Sequence, residues 1–472
     1  MVGITSCEAY IPPYRLNRGE IARAWGTRNF GGERAVAKYD EDSLTMAVAA
    51  TLGCIRSQPA KTRTDGLFFA STTSPYKEKQ AAALLAAAVD LTKETRTVDF
   101  TDSLRAATIA IHSAADAIKS GTAENIIVAA SDFRMGAGKS QFEQLFGEGA
   151  AAIAIGRENV LAEIKGSYSL FSEMLDMWRL EGDAFTHSWE ERFIITEGYL
   201  KTMQLVLSNI MQKYRLASKD FAKVIYYGPD RKSHSGLAKY FGFDPESQIQ
   251  DPLFDLIGNT GTAALPIMVV AALNNAHPGD LILIGNYGDG GDAFILEVTE
   301  NIKGFQADQR FEKRLARRIP INYERYLNWR DLVPLQELSR PASPPPSITC
   351  LWRESKGVLA FYGNKCRQCG TPQYPSQRVC ASCQTRDQFE DYKFSDKRGH
   401  IFAYTVDHLT ANRESPALIG VIDFEEGGRV MCEVTECEPS EIRIGMPVEM
   451  CFRKIGLRGG IFNYFWKARP VS

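Results

Sequence analysis

Four cysteines, spaced Cys366-x2-Cys369 and Cys380-x2-Cys383, are the residues whose type and spacing most plainly specify chemistry in this chain. Each CxxC pair can present two thiolates from one tight turn. Two such knuckles ten residues apart make a set of four soft ligands suited to tetrahedral Zn²⁺. With every position taken by a protein thiolate there is no open site for substrate, so the expected role is structural. Four unrelated buried or redox cysteines are the alternative, and they account poorly for two matched pairs. The remaining six of the ten cysteines (Cys7, Cys54, Cys350, Cys432, Cys437, Cys451) are scattered and read as mostly core.

Other chemical signals are weaker. MGAGKS (135–140) looks like part of a phosphate loop, but GxxxxGK needs glycine at 133 and Phe133 is there. None of the six histidines forms a metal-like spacing. His112 falls on an apolar helical face and reads as a core residue. His234 falls in the charged stretch DRKSHSG and reads as solvated. His187 is either a loop residue or a pocket residue. The basic run FEKRLARRIP (311–320) reads as a solvated helix face, with attraction for a ligand's phosphates or a partner protein as the alternative.

The elements that must position these residues are of two kinds. Up to about residue 300, apolar runs such as GLFFAS (66–71), ENIIVAAS (124–131), AAAIAI (150–155), KVIYYG (223–228) and DLILIGN (280–286) alternate with Ala-rich helical stretches. That alternation predicts a layered α/β fold. A Pro-rich stretch, RPASPPPS (340–347), separates this body from the cysteine module. After the knuckles, HIFAYTVDH, ALIGVIDF and GRVMCEV predict a small all-β barrel, the OB-fold being one option. The expected boundaries are 1–165 and 166–335 for two halves of the body, 336–350 for the linker, 351–390 for the ribbon and 391–472 for the barrel.

The body also carries an internal repeat. SLRAATIAIHSAADAIKSG leads into strand ENIIVAAS, and about 155 residues later NTGTAALPIMVVAALNNAHPG leads into strand DLILIGN. A duplicated unit places the two Ala-rich helices side by side, with their starts facing one central site. In this register Leu104 corresponds to Asn259.

With 472 residues and a net charge of −2, the chain has room for two or three domains and no global basic field favouring nucleic acid. The start MVGITSCEAYIPPYRL lacks a signal-peptide pattern and no long apolar run suggests a membrane span, so a cytoplasmic protein is expected.

Taken in order, ASTTSPYKEK (70–79), FTDSLRAAT (100–108), FGEGAAAIAIG (146–156), MWRLEGDAFTHSWEERF (177–193), YYGPDRKSHSGLAKYFGF (226–243), GNTGTAALP (258–266), NYGDGGDAF (286–294) and NYERYLNWR (322–330) resemble the 3-hydroxy-3-methylglutaryl-CoA synthase branch of the thiolase superfamily, in its archaeal-type form. KCRQCGTPQYPSQRVCASC (365–383), RGHIFAYTVDH (398–408) and IRIGMPVEM (442–450) resemble the zinc-ribbon plus OB-fold family of acyl-CoA metabolism. The resemblance implies a duplicated thiolase-like α/β/α/β/α body, an acyl-CoA ligand and a homodimer. It also implies a Glu acid/base, a Cys nucleophile at a helix N-terminus and a His. In this chain those positions carry Thr72, Leu104 and Tyr227. Asn259 is kept, and Lys232 matches a lysine near the CoA entrance. Leucine cannot carry an acyl group. Ser103, one residue earlier, is an alternative nucleophile only if a base activates it. Asp102 reads as a helix cap. Tyr227 either donates to an oxyanion or fills the emptied pocket. Three readings follow. The chain is an acyl-CoA-binding subunit beside a separate thiolase-type subunit, a self-sufficient carbon–carbon bond enzyme using Tyr227 and Asn259, or a scaffold that binds no CoA.

Overall fold

Apolar runs of five to ten residues with buried side chains on both faces can be satisfied only inside a covered sheet, and that is where they lie in the computed structural model. The structure describes all residues except 61, 306–309, 335–346, 410–413, 415 and 472. The Pro-rich stretch therefore lies, but for Ser347, outside the described residues. The described chain divides into two compact units: residues 1–38, 42–86 and 91–326, and residues 39–41, 87–90 and 327–472.

In the first unit nine strands form one sheet: β1 (Gly3–Tyr10), β2 (Gly66–Ala70), β3 (Arg96–Phe100), β4 (Asn125–Asp132), β5 (Gly149–Gly156), β6 (Ala162–Phe171), β7 (Lys223–Tyr226), β8 (Leu281–Tyr287) and β9 (Gly290–Val298). Their order is β7-β8-β9-β6-β1-β5-β4-β2-β3. Read outward from the central β6/β1 pair, the first three pairings on each side match, and β3 extends one side by a further strand. β1–β5 and β5–β4 are antiparallel and β4–β2 is parallel; β6–β9 and β9–β8 are antiparallel and β8–β7 is parallel. The internal repeat is thus a duplication of topology.

The repeated helices are α1 (Ala106–Lys119), which leads into β4, and α2 (Ala264–Leu273), which leads into β8. Both contribute to one apolar core with both halves of the sheet. Every residue of α2 from Leu265 to Leu273 is buried. The alanines of α1 (Ala106, Ala107, Ala110, Ala114) keep backbones close there, where a larger side chain would be overpacked. Helix α1 starts two residues after Leu104, and a 3₁₀ turn running into α2 starts at Gly261, two residues after Asn259. The sequence register holds.

The second unit contains a three-stranded sheet (Tyr362–Cys366 between Pro372–Gln373 and Phe389–Lys393) and a closed five-stranded barrel. The barrel strands are Arg398–Asp407, Ala417–Phe424, Arg429–Val434, Pro447–Arg458 and Ile461–Pro470. Buried residues alternate along them, as a barrel wall requires. Phe361, Phe394, Phe424 and Trp466 cluster beneath, and the Trp466 indole donates to the Leu359 carbonyl at 2.9 Å. Among the described residues, no helix is long and apolar enough to cross a membrane.

Candidate active site and metal centre

Strand ends and helix starts bring the candidate residues together. Tyr227 directly follows β7, Thr72 lies two residues beyond β2, Leu104 precedes α1 and Asn259 precedes α2. The Asn259 backbone is fixed on both sides: its N–H donates to Leu145 at 2.8 Å and its carbonyl accepts from Gly147 at 3.0 Å. Its side chain is the hub of the site. Nδ2 donates to Tyr227 Oη at 2.9 Å, while Oδ1 accepts from Arg134 at 2.8 Å and from the Gly261 N–H at 3.0 Å. Gly261 has φ 65°, and a Cβ there would fall 2.3 Å from Asp132, so only glycine allows this turn. Arg134 lies over the Phe146 ring at 4.2 Å, a cation–π contact beside the pocket wall.

Tyr227 is buried, and its oxygen accepts from Asn259. Among the described hydrogen bonds none is donated by its phenol, so that proton is available to a ligand. Burial raises the phenol above its ordinary range, while neighbouring Arg134 pulls it down. Leu104, Tyr227 and Asn259 line one apolar cavity of about 50 Å³, with Phe146, Ile195 and Tyr199. Ile195 and Tyr199 belong to a π-helix, Ile194–Leu200, a rare helix form that is frequent at functional sites. A second, polar cleft of about 280 Å³ is lined by Thr72, Ser103, Leu104, Arg134, Asp176 and Asp289. Leu104 and Asp176 line both cavities.

The other candidates are placed as follows. Thr72 donates its N–H to Asp132 at 2.7 Å, and among the described residues its buried hydroxyl has no hydrogen-bond partner. The Ser103 hydroxyl donates to the Gly288 carbonyl at 3.2 Å; among the described residues no imidazole or carboxylate hydrogen-bonds it. Lys232 is exposed in the first turn of helix Arg231–Phe241, beside Pro229 and Asp230, which line the apolar cavity.

Three expectations need correcting, for Asp102, His234 and the basic run, and the structure decides between the two readings of His187. Asp102 does not cap α1: it sits at φ 69° and accepts from its neighbour Thr101 at 2.8 Å, and α1 has no side-chain cap. His234 is buried, not solvated. It shares the inner face of its helix with Leu237 and Ala238, stacks on Tyr226 at 4.2 Å, and is pushed down to about 4 by burial. His187 is exposed, pairs with Asp183 at 3.2 Å and stacks on Trp178; its neighbours Thr186 and Ser188 face the cavities instead. The basic run is not wholly solvated, because Arg314 pairs with buried Glu8 at 3.0 Å.

Sequence reasoning missed Arg134, Asp132, Asp176 and Tyr287. Asp132 is a buried carboxylate that accepts from Ser71, Thr72, Thr73 and Thr262 and ties β2, β4 and α2 together. The only available signal was position: Asp132 ends β4, Arg134 lies two residues beyond it and Tyr287 ends β8, at the strand ends that also lead to Thr72 and Tyr227.

In the second unit the four cysteine sulfurs lie within 4.8 Å of one another, with Cys366–Cys383 at 3.6 Å and Cys369–Cys380 at 3.5 Å. A tetrahedron with Zn–S near 2.3 Å has edges of about 3.8 Å, so the donor set fits. The two knuckles repeat one pattern. Cys366 and Cys380 N–H donate to Thr371 and Thr385 carbonyls, both at 2.9 Å, and Gly370 and Gln384 N–H donate back to Cys366 and Cys380. Hydrogen bonds from Thr371 and Thr385 pull the Cys369 and Cys383 thiols down, toward thiolate. The cluster is consistent with a zinc ribbon. Five of the other six cysteines are buried, Cys350 being exposed.

Comparison with known proteins agrees with both units. Residues 392–453 match the family described as the ChsH2 C-terminal OB-fold domain. The chain is 31% identical over 336 residues to the hydroxymethylglutaryl-CoA synthase of Methanopyrus kandleri, covering 69% of this chain and 96% of that one. It is 32% identical over 313 residues to that of Methanothermobacter thermautotrophicus, covering 64% and 90%. Among solved structures, an HMG-CoA synthase complexed with CoA aligns with a TM-score of 0.64 at 18% identity, covering 73% of this chain and 94% of that one. A 3-oxoacyl-[acyl-carrier-protein] synthase III from Aquifex aeolicus aligns at 0.56 and 20% identity, covering 63% and 100%. These two structural likenesses speak to the fold.

Proposed function

The chain belongs to the hydroxymethylglutaryl-CoA synthase family, and from that premise we propose that it binds an acyl-CoA and makes or breaks a carbon–carbon bond in a β-keto- or β-hydroxyacyl-CoA without forming an acyl-enzyme. Leu104 at the nucleophile position carries no group that can attack a thioester. What remains is a way to stabilise negative charge on the thioester oxygen. The observation that carries this reading is the 2.9 Å bond from Asn259 to Tyr227, with no described hydrogen bond donated by the phenol and Asn259 held by Arg134 at 2.8 Å. A phenol and an amide oriented before the substrate arrives can stabilise an enolate without reorganising. Oxygen held there, a bond between Cα and Cβ can break in the retro-aldol sense or form in the aldol sense.

Lys232, exposed beside Pro229 and Asp230, is assigned to CoA at the cavity entrance. Ser103, lacking an activating base, is given no nucleophilic role. The four cysteines are assigned to one structural Zn²⁺, which holds the knuckles and takes no part in the reaction. Residues 1–165 and 166–335 are taken as the two thiolase-like halves, 336–350 as linker, 351–390 as ribbon and 391–472 as OB-fold. We take the protein to be cytoplasmic and dimeric through its thiolase-like body.

A second reading makes the chain the acyl-CoA-binding subunit of a larger assembly with a separate thiolase-type subunit. Threonine and leucine at the acid/base and nucleophile positions favour it. Calorimetry with CoA and acetyl-CoA, alongside mass-spectrometric turnover of β-keto- and β-hydroxyacyl-CoAs by the isolated chain, separates the two. Binding with turnover supports the enzyme, binding without turnover supports the subunit, and no binding overturns both.

A further inference from the structure

Breaking a bond between Cα and a hydroxylated Cβ needs a group that accepts the hydroxyl proton and returns it to Cα. With threonine at 72, the usual acid is missing. Acids near the site differ sharply in how free they are. Asp132 accepts four hydrogen bonds. Asp292 is buried between Thr108, Ser169 and Arg105. Asp230 caps a helix with both oxygens on Ser233.

Asp176 is different. It is 8% exposed and lines both the apolar cavity and the polar cleft. Among the described residues Oδ1 accepts from the Met177 N–H at 2.7 Å and Oδ2 accepts from the Tyr287 hydroxyl at 2.8 Å. A carboxylate has about four lone-pair sites, so acceptor capacity remains for a substrate. The backbone around it is fixed by pairing of Met177 with Ser188, whose hydroxyl also donates to the Asp176 carbonyl at 2.8 Å. Its partner Tyr287 is fitted closely: a Cβ on Gly198 of the π-helix would lie 2.8 Å from the Tyr287 oxygen.

We propose that Asp176, held by Tyr287, is the proton-transfer residue of this site; the proposal rests on the carbon–carbon bond reading above. The ionised carboxylate takes the β-hydroxyl proton. The Cα–Cβ bond breaks, Cβ leaves as a ketone or aldehyde, and the electron pair passes to the thioester as an enolate whose oxygen meets Tyr227 and Asn259. Asp176 then returns the proton to Cα, giving the shortened acyl-CoA, and no other reactant is consumed. Burial also holds the Asp176 carboxyl above its ordinary range, which brings its basicity closer to neutral pH, where a general base works best.

The test is deuterium uptake into the methyl group of acetyl-CoA in D₂O, read by mass spectrometry with the full chain, because it reports the Cα proton step without knowledge of the natural acyl group. The wild type is expected to exchange, Asp176→Asn to lose about 100-fold or more, and Asp176→Glu to recover part of it, with CoA affinity unchanged by calorimetry. Tyr287→Phe keeps the carboxyl and removes its donor; it is expected to slow exchange by roughly tenfold and guards against a misfolded Asp176 variant. Exchange by folded Asp176→Asn at the wild-type rate overturns the role of Asp176 while leaving the proposed function standing. A wild type that neither exchanges nor turns over any acyl-CoA overturns both.

Discussion

Replacing Tyr227 by phenylalanine removes one oxygen from the centre of the site and leaves the ring volume in place. Two costs follow. Asn259 Nδ2 loses its 2.9 Å acceptor but still faces the Gly228 and Pro229 carbonyls, each at 3.4 Å. A lost hydrogen bond with that substitute is worth about 1 kcal/mol of stability, so the variant should fold and bind CoA with near wild-type affinity. The second cost falls on the transition state, where the phenol proton is the donor to the forming enolate oxygen. Loss of one such donor typically lowers kcat by about 10²–10³, or roughly 3–4 kcal/mol. The assay is turnover of β-hydroxyacyl-CoAs followed by mass spectrometry, with calorimetry of CoA binding and a melting curve on the same preparation. A folded Tyr227→Phe variant that binds CoA and turns over at the wild-type rate would refute the role of the phenol and leave pocket filling as its only function.

Three further outcomes are expected. Asn259→Ala strips Arg134 and the Gly261 N–H of their shared acceptor, so it should lose about 2–3 kcal/mol by chemical denaturation together with turnover; unchanged stability would contradict the hub geometry. His234 is held neutral, with a folded value of about 4 against an ordinary value near 6.5. Its stabilising contribution is therefore complete above pH 6.5 and is lost as pH falls toward 4, by about 2 kcal/mol at pH 5. Among the described residues its Nε2 has no hydrogen-bond partner, while the ring also bonds the Tyr226 backbone, so His234→Phe should cost about 1 kcal/mol at pH 7 and be relatively stabilising at pH 5, and equal pH slopes in urea melts would count against this. Elemental analysis should find one zinc per chain, and Cys380→Ser should lose most of it with increased proteolysis of the ribbon; a zinc-free wild type would rule out the metal assignment.

Much of the fold was legible because burial on both faces of a strand leaves an apolar run that nothing else explains, as in GLFFA and NIIVAASD. The knuckles were legible because metal ligation demands residue type and spacing together. Leu104 and Asn259 meet because the chain is duplicated, and the repeat could be read directly. The misreadings have a common origin. His234 sits among Arg231, Lys232 and Ser235, which occupy the exposed face of its helix; its own i+3 and i+4 partners, Leu237 and Ala238, marked the buried face. Asp176 and Arg134 carry no periodic signal. A single polar residue in an irregular segment gains its meaning only from groups distant in sequence, such as Tyr287, 111 residues away, or Asn259, 125 residues away.

Carbon–carbon bond chemistry on an acyl-CoA with no covalent acyl-enzyme leaves a signature in both substrate and protein. The most direct measurement incubates the full chain with a panel of β-hydroxyacyl-CoAs and reads both the small-molecule products and the intact protein mass. A shortened acyl-CoA with its carbonyl co-product and a protein of unchanged mass are expected. No product from any member of the panel, or a protein heavier by an acyl group, would contradict that chemistry.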